Sequence, residues 1–536
     1  MSRSTQLALV FAAAVGVGWL ALALPPAAFF SGDSGLKLIA ALNAIDHPRR
    51  PFQVDLPRIG GQPTFYLDPM IVVHRDHAHV LQSPLFPVIS APLIATLGLR
   101  GAYVLPAISF VVMLPLLNVI RRLAAPETSF VILAWMALAA SPLLFYALEY
   151  WEHAPAIALL AAASAAAMLA GRQTRFALVW AAASGALGGI SVLLRPEAAW
   201  YVAGLALVIG PRQWAALGCG VAAILVPFGA ANYAHSGDLI GPHAAANLGA
   251  LQGNWLTGRW QRIHQWLWPD SPVAIAGLLL VASAWMSSAL NLDLRTRQII
   301  GLVGVVVVSA LAAQQLLPRE SLWQAFPVSL LALVPTGKSE TARPLSLVAL
   351  VAGLGVALTA TDDGGAQWGP RFLLVVAAAL IVLAARNATR AASSGPGRAA
   401  RVALVALVLI AGLATSRVAY RELRGAKRSY ERIVSTTADV TAPRDFVLTN
   451  VWWFDQVVAS LYGTRVFLYA PNLFSATQVL TELTRARVAN VTLVWSAEPD
   501  GESLESALIG TCFEVVSRQV TRDPSLRIAS ARCPAR

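Results

Sequence analysis

Asp33 stands between two glycines in Gly32-Asp33-Ser34-Gly35, just after an apolar run from Leu7 to Phe30. A carboxylate there can take a proton from a hydroxyl nucleophile held within hydrogen-bond reach. The same residues also suit a helix cap, because Asp-Ser ahead of an apolar stretch, here Leu36 to Ile45, is a common start signal. Glu149-Tyr150-Trp151-Glu152-His153 offers two more carboxylates and an imidazole in a turn between apolar runs. These could supply a second acid, orient an acceptor or hold a cation, or simply keep an exposed turn polar. His74-Arg75-Asp76-His77-Ala78-His79 is dense in metal-ligand types. On a strand His77 and His79 share a face, which with Asp76 would suit a divalent metal. No second Cys/His cluster with zinc spacing accompanies them, so a solvated loop is the alternative.

Three arginines have phosphate chemistry open to them, since a guanidinium fork grips two phosphate oxygens at once. They are Arg195 in Arg195-Pro196-Glu197, Arg319 in Pro318-Arg319-Glu320, and Arg371 in Trp368-Gly369-Pro370-Arg371-Phe372. Local pairs with Glu197 and Glu320 could occupy the first two. Arg371 has no adjacent acid, although Asp362 and Asp363 are near, and is the strongest phosphate candidate.

The elements that must position these groups are membrane spans. The chain has 536 residues, of which 57% are hydrophobic and only 13% charged, about half the charge of a soluble domain. Apolar runs long enough for a hydrocarbon core of about 30 Å recur along it. The first, Leu7 to Phe30, exceeds a signal-peptide core and reads as an anchor. Others run near 101–120, 127–147, 154–171, 176–194, 198–210, 213–233, 271–292, 298–317, 321–335, 343–360, 371–385 and 402–418, for roughly thirteen spans in all. The formal charge of +12 belongs to loops rather than to a nucleic-acid surface, because cytoplasmic loops retain Arg and Lys. No basic stripe with interleaved aromatics stands outside those loops, which argues against nucleic acid as a partner.

Orientation follows from alternation. With the N-terminus cytoplasmic, each inner loop is basic: Arg121 and Arg122, Arg172 and Arg175, Arg212, Arg295 and Arg297, Lys338 and Arg343, then Arg386 to Arg401. All eight histidines and most acids then fall outside, Asp33 and Glu149 among them. A transporter would place ionisable groups near the bilayer midplane. No expected span carries one there, which favours an enzyme working at the outer face over a permease. A non-catalytic scaffold for envelope assembly leaves Asp33 and Arg371 unexplained.

The chain divides into a transmembrane part, 1–418, with a large first outer loop over 31–99, and a soluble part, 419–536. The loop ends in Gln82-Ser83-Pro84-Leu85-Phe86-Pro87, where the prolines oppose a regular span. The soluble part reads as a small α/β domain, with strands at 446–451, 465–469 and 491–495 and helices at 455–461, 476–485 and 503–509. Cys512 and Cys533 both lie in it and could pair in an oxidising compartment.

Gly32-Asp33-Ser34-Gly35-Leu36-Lys37 after the first span, Ser83-Pro84-Leu85-Phe86-Pro87 at the loop end, Leu194-Arg195-Pro196-Glu197 and Gly364 to Leu373 together resemble the GT-C superfamily. Its members are membrane glycosyltransferases that use polyprenyl-phosphate sugars, including protein O-mannosyltransferases and aminoarabinose transferases. Ser34 departs from the Asp-Glu pair of the O-mannosyltransferases, which bears on the acceptor more than on the class. The resemblance implies a polytopic α-helical GT-C-like fold, a bacterial inner-membrane location and an extracytoplasmic C-terminal α/β domain. It implies inverting transfer to a hydroxyl on a glycan, lipid or protein. Asp33 would be the base, with Glu149, Glu152 and His153 beside the acceptor. Arg371, Arg195 and Lys37 would meet the donor phosphate, and Gln367, Trp368 and His243 would contact substrate. For cofactors the sequence offers only a divalent metal, with His77, His79 and Asp76 as its candidate ligands.

Overall fold

The computed structural model describes every residue except 1–2, 56–58, 60–69, 75–76, 173–174, 238, 241–254, 269–270, 288–291, 337–339, 361–366, 394, 498–502, 523–524 and 535–536. Its chain forms two units. One comprises Met1–Ala21, Leu105–Ala231 and Ala244–Glu422; the other comprises Leu22–Val104, Asn232–His243 and Leu423–Arg536.

The helices begin with α1 (Arg3–Leu22), α2 (Gly32–Asp46), α3 (Leu85–Leu97), α4 (Val104–Ala124), α5 (Phe130–Ala139), α6 (Leu143–Ala147), α7 (His153–Gly171) and α8 (Ala177–Leu194). Among the described residues eight helical stretches are long and apolar enough to cross a membrane, or nine if Arg259–Leu267 and Pro272–Met286 form one bent span. That is short of the thirteen suggested by apolar runs. Proline accounts for part of the difference. The run at 127–147 breaks at Pro142 into α5 and α6, and 321–335 becomes Leu322–Ala325 followed by a tight 3₁₀ turn, Pro327–Leu333. The run at 198–210 holds only the nine-residue helix Ala198–Ala206. Large apolar side chains on the spans face outward, among them Leu7, Phe11, Trp19, Leu279 and Leu354, which in water would cost about 1.5–3 kcal/mol each. Lipid removes that cost. The protein is a multi-pass membrane protein.

Basic residues of the expected inner loops cap helix ends. The last carbonyls of a helix lack intrahelical donors and carry partial negative charge. Arg172 donates to Leu123 O of α4 at 3.1 Å, Arg297 to Ala284 O at 2.9 Å and Arg401 to Ala391 O at 2.6 Å. Glu127 is held by Arg386 and Arg390 at 3.2 and 2.8 Å. Between α7 and α8, Ser184 and Ser191 donate to the Ala163 and Ala156 carbonyls.

In the second unit the loop after α2 forms a short hairpin, β1 (Ile71–His74) with β2 (His77–Val80). The soluble part carries a five-stranded sheet of β3 (Phe446–Thr449), β4 (Val466–Tyr469), β5 (Asn490–Ser496), β6 (Glu514–Arg522) and β7 (Ser525–Arg532), in the order β4-β3-β5-β7-β6. The first three strands are parallel and the last two antiparallel. The three expected strands and the helix at 476–485 are found; 455–461 is a four-residue helix, Phe454–Val457, followed by a 3₁₀ turn, 503–509 is a 3₁₀ turn, and the hairpin β6–β7 was not expected. Helix Leu473–Arg485 covers a core of Leu448, Leu468, Leu480, Leu493 and Trp495. The long helix Arg398–Val440 extends past the span expected at 402–418.

Cys512 and Cys533 form a disulfide with Cα atoms 5.0 Å apart. Closing a loop of 21 residues should stabilise the soluble part by about 3 kcal/mol, chiefly by restricting the unfolded chain. Replacing both cysteines with serine should lower its unfolding midpoint by a corresponding amount in denaturant. An unchanged midpoint would show the bond to be dispensable.

Candidate functional site

The chemistry-bearing residues form two clusters, one in each unit. In the second unit Ser31 takes the N-cap position of α2 in an extended conformation, and Asp33 falls within the first turn. Asp33 is therefore not the cap residue itself. The helix N-terminus still favours its negative charge. Its Oδ1 accepts a hydrogen bond from Gln82 Nε2 at 3.3 Å, so the end of the large loop reaches back to the start of α2. Lys37 follows one turn later and is buried.

The chain leading into Asp33 is clasped from the long helix. Lys427 is fully buried and donates to Ala28 O at 2.9 Å and to Tyr103 Oη at 2.8 Å. Its ammonium lies 4.3 Å from the Tyr103 ring centroid, close enough for cation–π attraction. Gln456 of helix Phe454–Val457 packs against Gly32 and Gly35 of α2. Sequence reading missed Gln82, Lys427 and Gln456. The first adjoins the Ser-Pro-Leu-Phe-Pro stretch and could have been noticed; nothing local marks the other two.

Of the metal-ligand types, His79 is buried with Nδ1 2.9 Å from Phe52 O. His77 pairs with His74 across the hairpin register, and Asp76 lies outside the described residues. Among the described residues no group of three or more His, Cys, Asp or Glu could hold a metal ion.

In the first unit Pro196 ends α8, leaving Arg195 at its C-cap and Glu197 at the N-cap of helix Ala198–Ala206. Glu152 is the N-cap of α7. Arg195 joins both: Nη1 lies 3.1 Å from Glu152 Oε1, and Nε donates to Glu197 Oε1 at 2.7 Å. Burial disfavours the arginine's charge, but Glu197 and then Glu152 outweigh that and push its pKa up. One cation thus ties two buried helix N-termini together. The local pair with Glu197 is present, and Glu152 takes a second edge of the guanidinium that the resemblance assigns to a donor phosphate.

Gly369 adopts φ +73°, the left-handed region that favours glycine, and a Cβ there would strike Ala325. This turn and Pro370 deliver Arg371 as the first residue of the 3₁₀ helix Arg371–Val376. The Phe372 ring lies between two guanidiniums, Arg371 at 5.4 Å and Arg195 at 5.3 Å. Tyr146 donates to Trp368 O at 3.0 Å, and its ring packs on Trp151 and His153 at 5.2 and 4.7 Å. Glu149, His153, Gln367 and Trp368 are all buried here. Arg319 pairs with Glu422 at 2.7 Å and lies 5.9 Å from the Trp368 ring. The sequence thus brings Glu149, Glu152, His153, Arg195, Gln367, Trp368 and Arg371 into one polar and aromatic neighbourhood. Tyr146, Phe372 and Glu422 were not anticipated. His243 lies outside the described residues.

No family model matches the chain, and no curated protein matches it. Solved structures do. ArnT from Cupriavidus metallidurans bound to undecaprenyl phosphate aligns over 99% of this chain and 98% of its own, with TM-score 0.55 and 14% identity. The chain has the GT-C fold. The apo form of the same ArnT gives TM-score 0.53 over the same coverage at 13% identity. The Archaeoglobus fulgidus oligosaccharyltransferase, tethered with an acceptor peptide, aligns over 92% of this chain and 69% of its own at TM-score 0.48 and 14% identity. The ArnT alignment, over 99% of this chain, includes the C-terminal sheet as well as the helices before it.

Proposed function

We propose that this protein is an inverting membrane glycosyltransferase that moves a sugar from a polyprenyl-phosphate donor to an acceptor hydroxyl. The observation that carries the reading is the shared fold with ArnT, solved with undecaprenyl phosphate, over 99% of the chain. The placement of Asp33 in the first turn of α2 supports it. The enzyme would sit in a bacterial plasma membrane with its N-terminus cytoplasmic and its C-terminal part outside, an orientation the basic loops support.

Asp33 accepts the acceptor hydroxyl's proton as that oxygen attacks the anomeric carbon. The bond from that carbon to the phosphate oxygen breaks, and the lipid phosphate leaves with the electron pair. Arg371 meets the charge developing on the phosphate. Arg195, committed to two carboxylates, holds Glu152 and the start of α7 in place for the acceptor side, where Glu149 and His153 also act. Trp368 Nε1 is a buried donor with no acceptor among the described residues, which suits it and the neighbouring Gln367 to a substrate oxygen. Lys37 adds positive charge near Asp33.

The test is donor turnover. Purified protein in lipid, given undecaprenyl-phosphate-linked hexoses and pentoses with candidate acceptors, should release free undecaprenyl phosphate. Arg371→Ala should weaken donor affinity by about 1.5–3 kcal/mol, the usual worth of a hydrogen bond to a charged group, and lower turnover as well. Transport of intact donor without release of undecaprenyl phosphate would favour a flippase instead.

A further inference from the structure

We infer that Gln456, in the soluble part of the chain, is a positioning residue for Asp33; the inference rests on Asp33 being the general base. Gly32 and Gly35 flank Asp33 on α2, and both meet the same residue. A Cβ on Gly32 would collide with the Gln456 side-chain amide, and a Cβ on Gly35 with the Gln456 backbone carbonyl. Neither glycine has a positive φ. Glycine is therefore needed here for space and not for backbone freedom.

Gln456 is buried and fixed chiefly through its backbone, whose N–H donates to Asp455 Oδ1 at 3.0 Å, while its Nε2 makes a long bond to Trp452 O at 3.5 Å. The first turn of α2 thus packs on Gln456 through residues on either side of Asp33. The Asp33 carboxylate is steered on its own account by Gln82 at 3.3 Å. A base must meet its proton donor in a narrow geometry, and a displacement of about 1 Å can cost roughly 10²-fold in rate. Displacing the turn from Gln456 moves the carboxylate without touching substrate.

The two glycines make different predictions because their obstacles differ. Gly32→Ala should lower turnover by roughly 10²-fold at saturating donor, while affinity for undecaprenyl phosphate and the thermal midpoint stay near wild type. Adding Gln456→Ala removes the obstructing amide, so the double variant should regain most of the lost turnover. Gly35→Ala should be equally slow, and Gln456→Ala should not rescue it, because a backbone carbonyl remains in the way. The assay is release of undecaprenyl phosphate from an undecaprenyl-phosphate-linked hexose or pentose, with undecaprenyl phosphate alone as the binding probe. Wild-type turnover in Gly32→Ala, or a Gly32→Ala loss that Gln456→Ala leaves unrepaired, overturns the positioning role. Wild-type turnover in Asp33→Asn overturns the base assignment and this inference together. Loss in Asp33→Asn without rescue of Gly32→Ala overturns the inference alone.

Discussion

Asp33→Asn should slow donor turnover by roughly 10²–10⁴-fold, the usual worth of general-base assistance, while leaving undecaprenyl phosphate binding largely intact. Asparagine keeps the shape of the side chain and can still bond Gln82, so the packing of α2 should survive the change. It cannot accept the acceptor's proton. A loss of turnover without a loss of affinity is the pattern expected when an interaction operates only in the transition state. Titrating donor binding beside single-turnover rates separates the two quantities. Turnover at the wild-type rate would return Asp33 to the plain role of a charge at a helix start.

Arg195→Leu should be the most destabilising single change in the first unit. It strands Glu152 and Glu197, whose side chains are 6% and 10% exposed, without their shared cation. Breaking a buried ion pair in this way typically costs about 3–5 kcal/mol, mostly for the uncompensated charge that remains. The variant's thermal midpoint in detergent should fall accordingly. It should recover partly as pH drops, because an unpaired buried carboxylate binds a proton more readily folded than unfolded. Converting Glu152 and Glu197 to glutamine in the Arg195→Leu background should restore much of the loss. A midpoint within error of wild type would show that the arginine contributes little beyond packing against Phe372.

What could be read from the sequence follows from the range of the forces involved. Bilayer spans are visible in composition, since lipid demands continuous apolar surface. The breaks at Pro142 and before Pro327 are also local, but a tally of apolar residues passes over them. The Arg195–Glu197 pair is legible because Pro196 brings the two close along the chain, whereas Glu152 reaches the same guanidinium from another helix. The strands β3, β4 and β5 announce themselves by runs of Val, Leu and Phe. The β6–β7 hairpin, with charged residues such as Arg518 and Arg527, does not. Asp33 is marked by its position after the first span and by the resemblance; its support from Gln82, Lys427 and Gln456 depends on folding that no local pattern encodes.

The contact between α2 and Gln456 also orders events in time. Gly32 and Gln456 lie near opposite ends of the sequence, with the spans made between them. At a synthesis rate of about 5–20 residues per second, roughly 20–85 s separates the emergence of the two. Throughout that interval α2 is already made, yet the surface that should hold it has not been synthesised. A product truncated before Gln456 should therefore carry α2 without the surface on which its first turn packs.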